Sequence, residues 1–228
     1  MSSSPEPKER PILFSAPMVR AILGGRKTVT RRPVKGAGLK WLEEFTPEYV
    51  AEPANGLCPY GQLGERLWVR EACRYPASLD HYSPSAIGEK ALDAGYTKPW
   101  CPTHFEADGA RNDGWQGFET PPAVSVPGKL RPPMFMPRWA SRILLEITAV
   151  RVERLQDISD AQIEAEGIDL DALTDGQDRY DMCHAGSGAE GRPTLQTAWR
   201  DLWQSINGLE SWTANPWVWV VEFKQATP

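Results

Sequence analysis

Lys27 and Thr30 stand three residues apart in the stretch GGRKTVTRRP, residues 24–33. The chain as a whole is acidic, with a formal net charge of -5. Between Pro11 and Leu42, however, there is no Asp or Glu, while Arg20, Arg26, Lys27, Arg31, Arg32, Lys35 and Lys40 accumulate. An amine, two threonine hydroxyls and several guanidiniums around a glycine pair are equipped to hold an anionic or electron-rich group, because affinity for phosphate follows the local field and not the net charge. Other chemistry-bearing residues are sparser. Cys101 and His104 have a spacing that can chelate, but Cys183 and His184 are adjacent and fall in a loop, and structural zinc usually needs two well-spaced pairs, so no metal is expected. No Ser-His-Asp order and no phosphate-cradling loop stands out. Glu65 and Glu71 flank Trp68 without further support for an acid/base pair.

The elements that must position these residues are short, because 21 prolines divide the chain. Residues 1–10 read as a polar, disordered leader. PILFS (11–15) reads as a first strand and APMVRAILGG (16–25) as a helix ended by its glycines. KTVTRR enters a strand, with Thr30 and Arg32 on one face and Val29 and Arg31 on the other. GERLWVREAC (64–73) is a second strand. Residues 74–133 show little periodicity and read as a large irregular insertion with a few short elements. SRILLEITAVRVERLQ (141–156) is a long strand whose alternation breaks near Val150. DISDAQIEAEGI (157–168) reads as a helix with Ser159 as N-cap and Gly167 as stop. Residues 169–192 read as a mobile loop, TLQTAWRDLWQSING (194–208) as a helix with the stripe Leu195, Trp199, Leu202 and Ile206, and NPWVWVVEFK (215–224) as the last strand.

Residues 11–228 are thus expected to form a single domain of the α+β class. Sequential strands without regular βαβ alternation point to a mixed β-barrel with flanking short helices. No apolar run is long enough to span a bilayer, the N-terminus has no apolar signal region, and four cysteines in such a chain are expected to be reduced thiols. A cytoplasmic protein with no membrane association and no cofactor is the expectation.

ILGGRKTVTRR resembles the signature of the ASCH domain family, within the PUA-like β-barrel superfamily, with the pattern met by Gly25, Lys27 and Arg32. GERLWVRE, ILLEITAVRVERLQDIS and WVWVVEFK follow in the expected order. MPRWASRI and the large insertion resemble the longer phage- or prophage-associated members. The resemblance implies a cleft beside a PUA-like barrel that takes RNA or a modified nucleoside. It also implies similarity to the bacterial N(4)-acetylcytidine amidohydrolases, whose Lys, Thr and Glu fall here on Lys27, Thr30 and the second acid of Glu164-Ala165-Glu166. In that reading Lys27 is the base, Thr30 the nucleophile and Glu166 a polar partner, while Gly25, Arg26, Arg31, Arg32 and Trp68 bind substrate.

Such chemistry requires a lysine whose pKa has fallen, and burial and neighbouring cations push it down. Glu166 pushes the other way. Alternative functions are a non-catalytic module for RNA or a modified nucleotide and, less directly, a metal-dependent ribonuclease. The competing structural readings are a solvated turn for Lys27 and Thr30, an exposed helix residue for Glu166, solvated or acid-paired cations for Arg31 and Arg32, and core packing for Trp68, Trp217 and Trp219.

Overall fold

The computed structural model describes residues 7–112, 126–184 and 191–226. Its strands are β1 (Glu9–Leu13), β2 (Val29–Pro33), β3 (Arg66–Arg70), β4 (Cys73–Arg74), β5 (Thr103–Phe105), β6 (Arg111–Asn112), β7 (Leu144–Arg154) and β8 (Trp217–Gln225). Its helices are α1 (Ala16–Leu23), α2 (Ala37–Trp41), α3 (Pro47–Ala51), α4 (Pro84–Asp93), α5 (Asp160–Ala165), α6 (Leu170–Cys183) and α7 (Leu195–Asn207). This is an α+β chain.

One sheet has five strands in the order β1-β3-β7-β8-β2, the other three in the order β4-β5-β6. The larger sheet is mixed: β1 runs parallel to β3, while β3 with β7 and β2 with β8 are antiparallel. It is not closed into the expected barrel. Closure would require the two ends of the order to pair, and β1 and β2 are each bonded on one side only within it.

The described residues divide into two compact units: residues 7–20, 65–112, 126–146 and 225–226, and residues 21–64, 147–184 and 191–224. The first unit contains β1, β3, the small sheet and α4. Its core includes Cys73, Tyr75, Ile87, Cys101, Phe105, Met136 and Ala140. The segment expected to be an irregular insertion therefore carries much of a core of its own; its elements are too short to show a period. Part of it, 113–125, lies outside the described residues. The leader is shorter than expected, because Glu9 and Arg10 already pair with Arg66 and Leu67 across the parallel ladder. Their side chains are also held, Glu9 by Arg138 at 2.6 Å and Arg10 by Glu65 at 3.2 Å.

The second unit packs α5 and α7 on β2 and β8 through Val29, Leu155, Ile158, Ile163, Ile168, Trp199, Trp203, Val218 and Val220. Ser159 and Gln162 form a reciprocal capping box on α5, and Thr194 with Thr197 does the same for α7. On α7 the expected Trp199 is buried and Leu195 and Leu202 pack against the same core, together with Trp203, whereas Ile206 is 50% exposed at the end of the stripe. Along β7 the buried positions pass from Leu145 and Ile147 to Val152, a one-residue slip of phase near Val150.

Residues 170–183 are helical, not a loop. Asp169 caps α6 by accepting from the Ala172 N–H at 3.1 Å, and none of the helix's residues is buried, so no apolar stripe announced it in the sequence. The remainder of the expected loop, at 185–190, lies outside the described residues.

Ile163, 0% exposed, anchors α5 to this core. Ile163→Ala is expected to cost about 2–5 kcal/mol in urea denaturation, as for other buried large-to-small changes. Ile206→Ala, at an exposed position of α7, is expected to stay within about 0.5 kcal/mol of the parent.

Candidate active site

The glycine pair ends α1 and aims the chain back at a different helix. Gly25 is left-handed, with φ +72°, and its N–H reaches the Ile22 carbonyl at 3.0 Å. The N–H groups of Arg26 and Lys27 both reach the Ala21 carbonyl, at 2.9 and 3.0 Å. The next residue, Thr28, donates its N–H to the Ala165 carbonyl at 2.9 Å and accepts from the Phe223 N–H at 2.8 Å. The turn is thereby docked between the last turn of α5 and strand β8.

This docking buries Lys27, whose Nζ donates to the Val29 carbonyl at 2.8 Å, the Glu166 carbonyl at 2.8 Å and Glu166 Oε2 at 2.6 Å. Helix termini leave carbonyls without intrahelical partners, and here Thr28 N–H and the lysine ammonium satisfy those of Ala165 and Glu166. The cation also sits where the helix dipole favours it.

The approach is close because residue 167 is glycine. A Cβ there would lie 2.8 Å from Ala21 Cβ and 2.9 Å from Lys27 Cβ, and the φ of +86° disfavours any other residue.

Glu166 joins Lys27 to a longer charge network. Its Oε1 accepts from Arg31 Nη1 at 3.4 Å, and Arg31 Nη2 donates to Glu153 Oε2 at 3.2 Å. Arg151 then bridges Glu153 and Glu222. Three cations thus alternate with three carboxylates. The Lys27 and Arg31 side chains are 0% exposed and Glu166 is 2% exposed.

Burial pushes the Lys27 pKa below the ordinary lysine value, Glu166 opposes this, and the nearby Arg32 and Arg31 cations push further down. Burial likewise lowers Arg32, against the pull of Tyr60 and Glu166, and raises the Tyr60 phenol.

Two of the expected catalytic residues, Lys27 and Glu166, therefore meet across 139 positions of sequence. Thr30 is buried on β2 in register with Val221. Strand alternation sets Thr30 with Arg32 on one face, and Val29 with Arg31 on the other. Gly25 shapes the turn, Arg26 is exposed beside it, and Arg32 is half-buried. Trp68 belongs to the first unit, where it is 8% exposed and carries the Arg70 guanidinium 4.7 Å from its ring centroid. Trp219 is core, and Arg154 lies 4.1 Å over the ring of Trp217.

Tyr60, Glu153, Arg151 and Glu222 went unnoticed in the sequence. The alternating charges of Arg151-Val152-Glu153 were a signal for Arg151 and Glu153, and only strand pairing brings in Glu222. Among the described residues, no group of three His, Cys, Asp or Glu side chains is arranged to hold a metal ion. Cys101 is buried with its thiol pushed up to about 12, chiefly by desolvation, while Cys183 is exposed at the end of α6. No helix of the described residues is long and apolar enough to cross a membrane. Comparison of the chain with protein-family models, curated proteins and solved structures finds no match.

Breaking a buried ion pair from one side leaves an uncompensated charge. Lys27→Met and Glu166→Leu are each expected to destabilise the protein by about 3–5 kcal/mol. The double variant is expected to lose less than the sum of the two, a coupling read from urea denaturation of all four proteins.

Proposed function

We propose that this protein is a hydrolase that cleaves the amide of an acylated nucleobase or nucleoside, of the N(4)-acylcytidine type. The observation that carries the reading is the buried Lys27–Glu166 contact at 2.6 Å. The ASCH resemblance pairs these same two residues from distant parts of the chain. The proposal includes a PUA-like relationship of the larger sheet, kinship with the longer phage-associated members, and a cytoplasmic setting.

The opposition between Glu166 and a neutral lysine is relieved when the two act as one proton-sharing pair. Transfer of a proton from Nζ to Oε2 leaves a neutral amine and a neutral acid, and burial favours both. Thr30 lies on the opposite face of β2 from Arg31, so substrate binding must carry its Oγ to the amine, which then takes the proton as the oxygen attacks the acyl carbonyl. Arg26, on the exposed side of the turn, meets the oxyanion. Collapse breaks the bond to the base's exocyclic nitrogen, which leaves with the proton from Lys27. Water, deprotonated by the same amine, then releases the acid from the acyl-threonine and restores the hydroxyl.

A second reading, a non-catalytic module for RNA or a modified nucleotide, is favoured by a different observation. All three ammonium donors of Lys27 already meet oxygens, which suits a fixed cation in a binding surface.

Incubation of the full-length protein with N(4)-acetylcytidine, followed by chromatography, is expected to release cytidine and acetate. Thr30→Val, near-isosteric and tolerable in a strand, is expected to remove turnover, and Lys27→Met to lower it by about 10²–10⁴-fold. Circular dichroism checks that each variant is folded. Turnover that survives Thr30→Val excludes the acyl-threonine. No turnover, with salt-sensitive RNA binding, selects the second reading.

A further inference from the structure

The first unit has a cavity of about 280 Å³ lined by Arg74, His104, Phe105, Glu106, Gly109, Arg111 and Pro127. Its polar residues come from the three-stranded sheet. Arg74 on β4 is directly opposite His104 on β5, and His104 is directly opposite Arg111 on β6. Directly paired residues share a face, so Arg74, His104 and Arg111 form one cross-strand row.

The two guanidiniums thus flank the imidazole, one on each neighbouring strand. Among the described residues, Arg74 is compensated by Glu106 and, at longer range, by Asp80. Arg74 donates Nε–H to Glu106 at 2.7 Å and Nη1–H to the Gly128 carbonyl at 2.9 Å. Among the described residues Arg111, which is exposed, makes no ion pair.

The middle of the row holds an unanswered polar atom. His104 is 7% exposed, and its Nε2 is buried with no hydrogen-bond partner. A buried ring nitrogen without a partner costs free energy that a bound oxygen would return.

We propose that the Arg74–His104–Arg111 row is a binding site for a phosphate group. Guanidiniums present paired N–H donors that match phosphate oxygens, and the imidazole between them adds a third donor. The volume accommodates the phosphate of a small phosphorylated molecule. Glu106 keeps Arg74 oriented and, with Asp80, offsets its charge, so that Arg111 is the cation left to balance a bound phosphate. The site lies wholly within the first unit and is independent of the hydrolase reading.

The test is titration of the isotope-labelled full-length protein with inorganic phosphate at constant ionic strength, following the ring signals of His104 by NMR. A saturable shift is expected, and Arg111→Gln is expected to weaken binding by about tenfold or more, the loss for one charge-assisted hydrogen bond. Arg111 is exposed, so the variant is expected to keep the parent's unfolding midpoint, which is measured alongside. Acetate serves as the second arm and is expected to produce no saturable shift. The proposal is overturned by the absence of a saturable phosphate shift into the millimolar range, by equal affinity in Arg111→Gln, or by an equal response to acetate.

Discussion

A lysine ammonium has three N–H donors and no acceptor, and removing it from water demands an oxygen for each. Lys27 meets that demand with two backbone carbonyls and one carboxylate. Much of the second unit follows from it. The chain must turn sharply after α1, which a left-handed Gly25 permits, and the end of α5 must come within van der Waals distance of the lysine stem, which Gly167 permits. Glu166 must point inward from the C-cap of a helix of six residues. Once inside, its second oxygen needs a partner of its own, and Arg31 provides it.

The same logic repeats outward along the sheet. The charges alternate onward through the partly exposed Glu153 and Arg151 to Glu222, whose position opposite Val29 is set by the β2–β8 register. Such a ladder contributes little net stability compared with well-packed apolar side chains, since desolvation offsets most of the attraction. Its value is in fixing geometry, because a lysine, a glutamate and an arginine are held in a single arrangement. The first unit uses a comparable clamp nearer to solvent. Arg142 bonds both oxygens of buried Glu71, at 2.8 and 2.9 Å, and both oxygens of Asp108, while lying 4.0 Å from the Phe105 ring centroid.

The parts of this arrangement that were legible in the sequence are those with a local cause. Gly25 as a helix stop, Ser159 as an N-cap, and the faces of β2 follow from backbone preference and period, and the structure has all three. The α+β class follows from the element order, but barrel closure does not, because it depends on which sheet edges meet. Helix α6 carries no buried stripe and has no signal in the sequence, whereas the stripe of α7 is legible through Leu195, Trp199 and Leu202 and fails only at Ile206, where Trp203 turns inward instead. The division into two units was invisible because β7 supplies residues to both. Lys27 with Glu166 was reachable only through the ASCH resemblance; no spacing rule joins residues so far apart. The Arg74–His104–Arg111 row has no sequence signal at all, being created by the register of three short strands.

The central claim is that burial, not exposure to solvent, governs Lys27, and that it lowers the amine's affinity for its proton against the pull of Glu166. The most direct measurement is a pH titration of the Lys27 side-chain carbon and nitrogen signals by NMR in the folded protein, assigned with Lys27→Met. The account predicts a midpoint below that of the surface lysines. A midpoint equal to or above that of the surface lysines would contradict it.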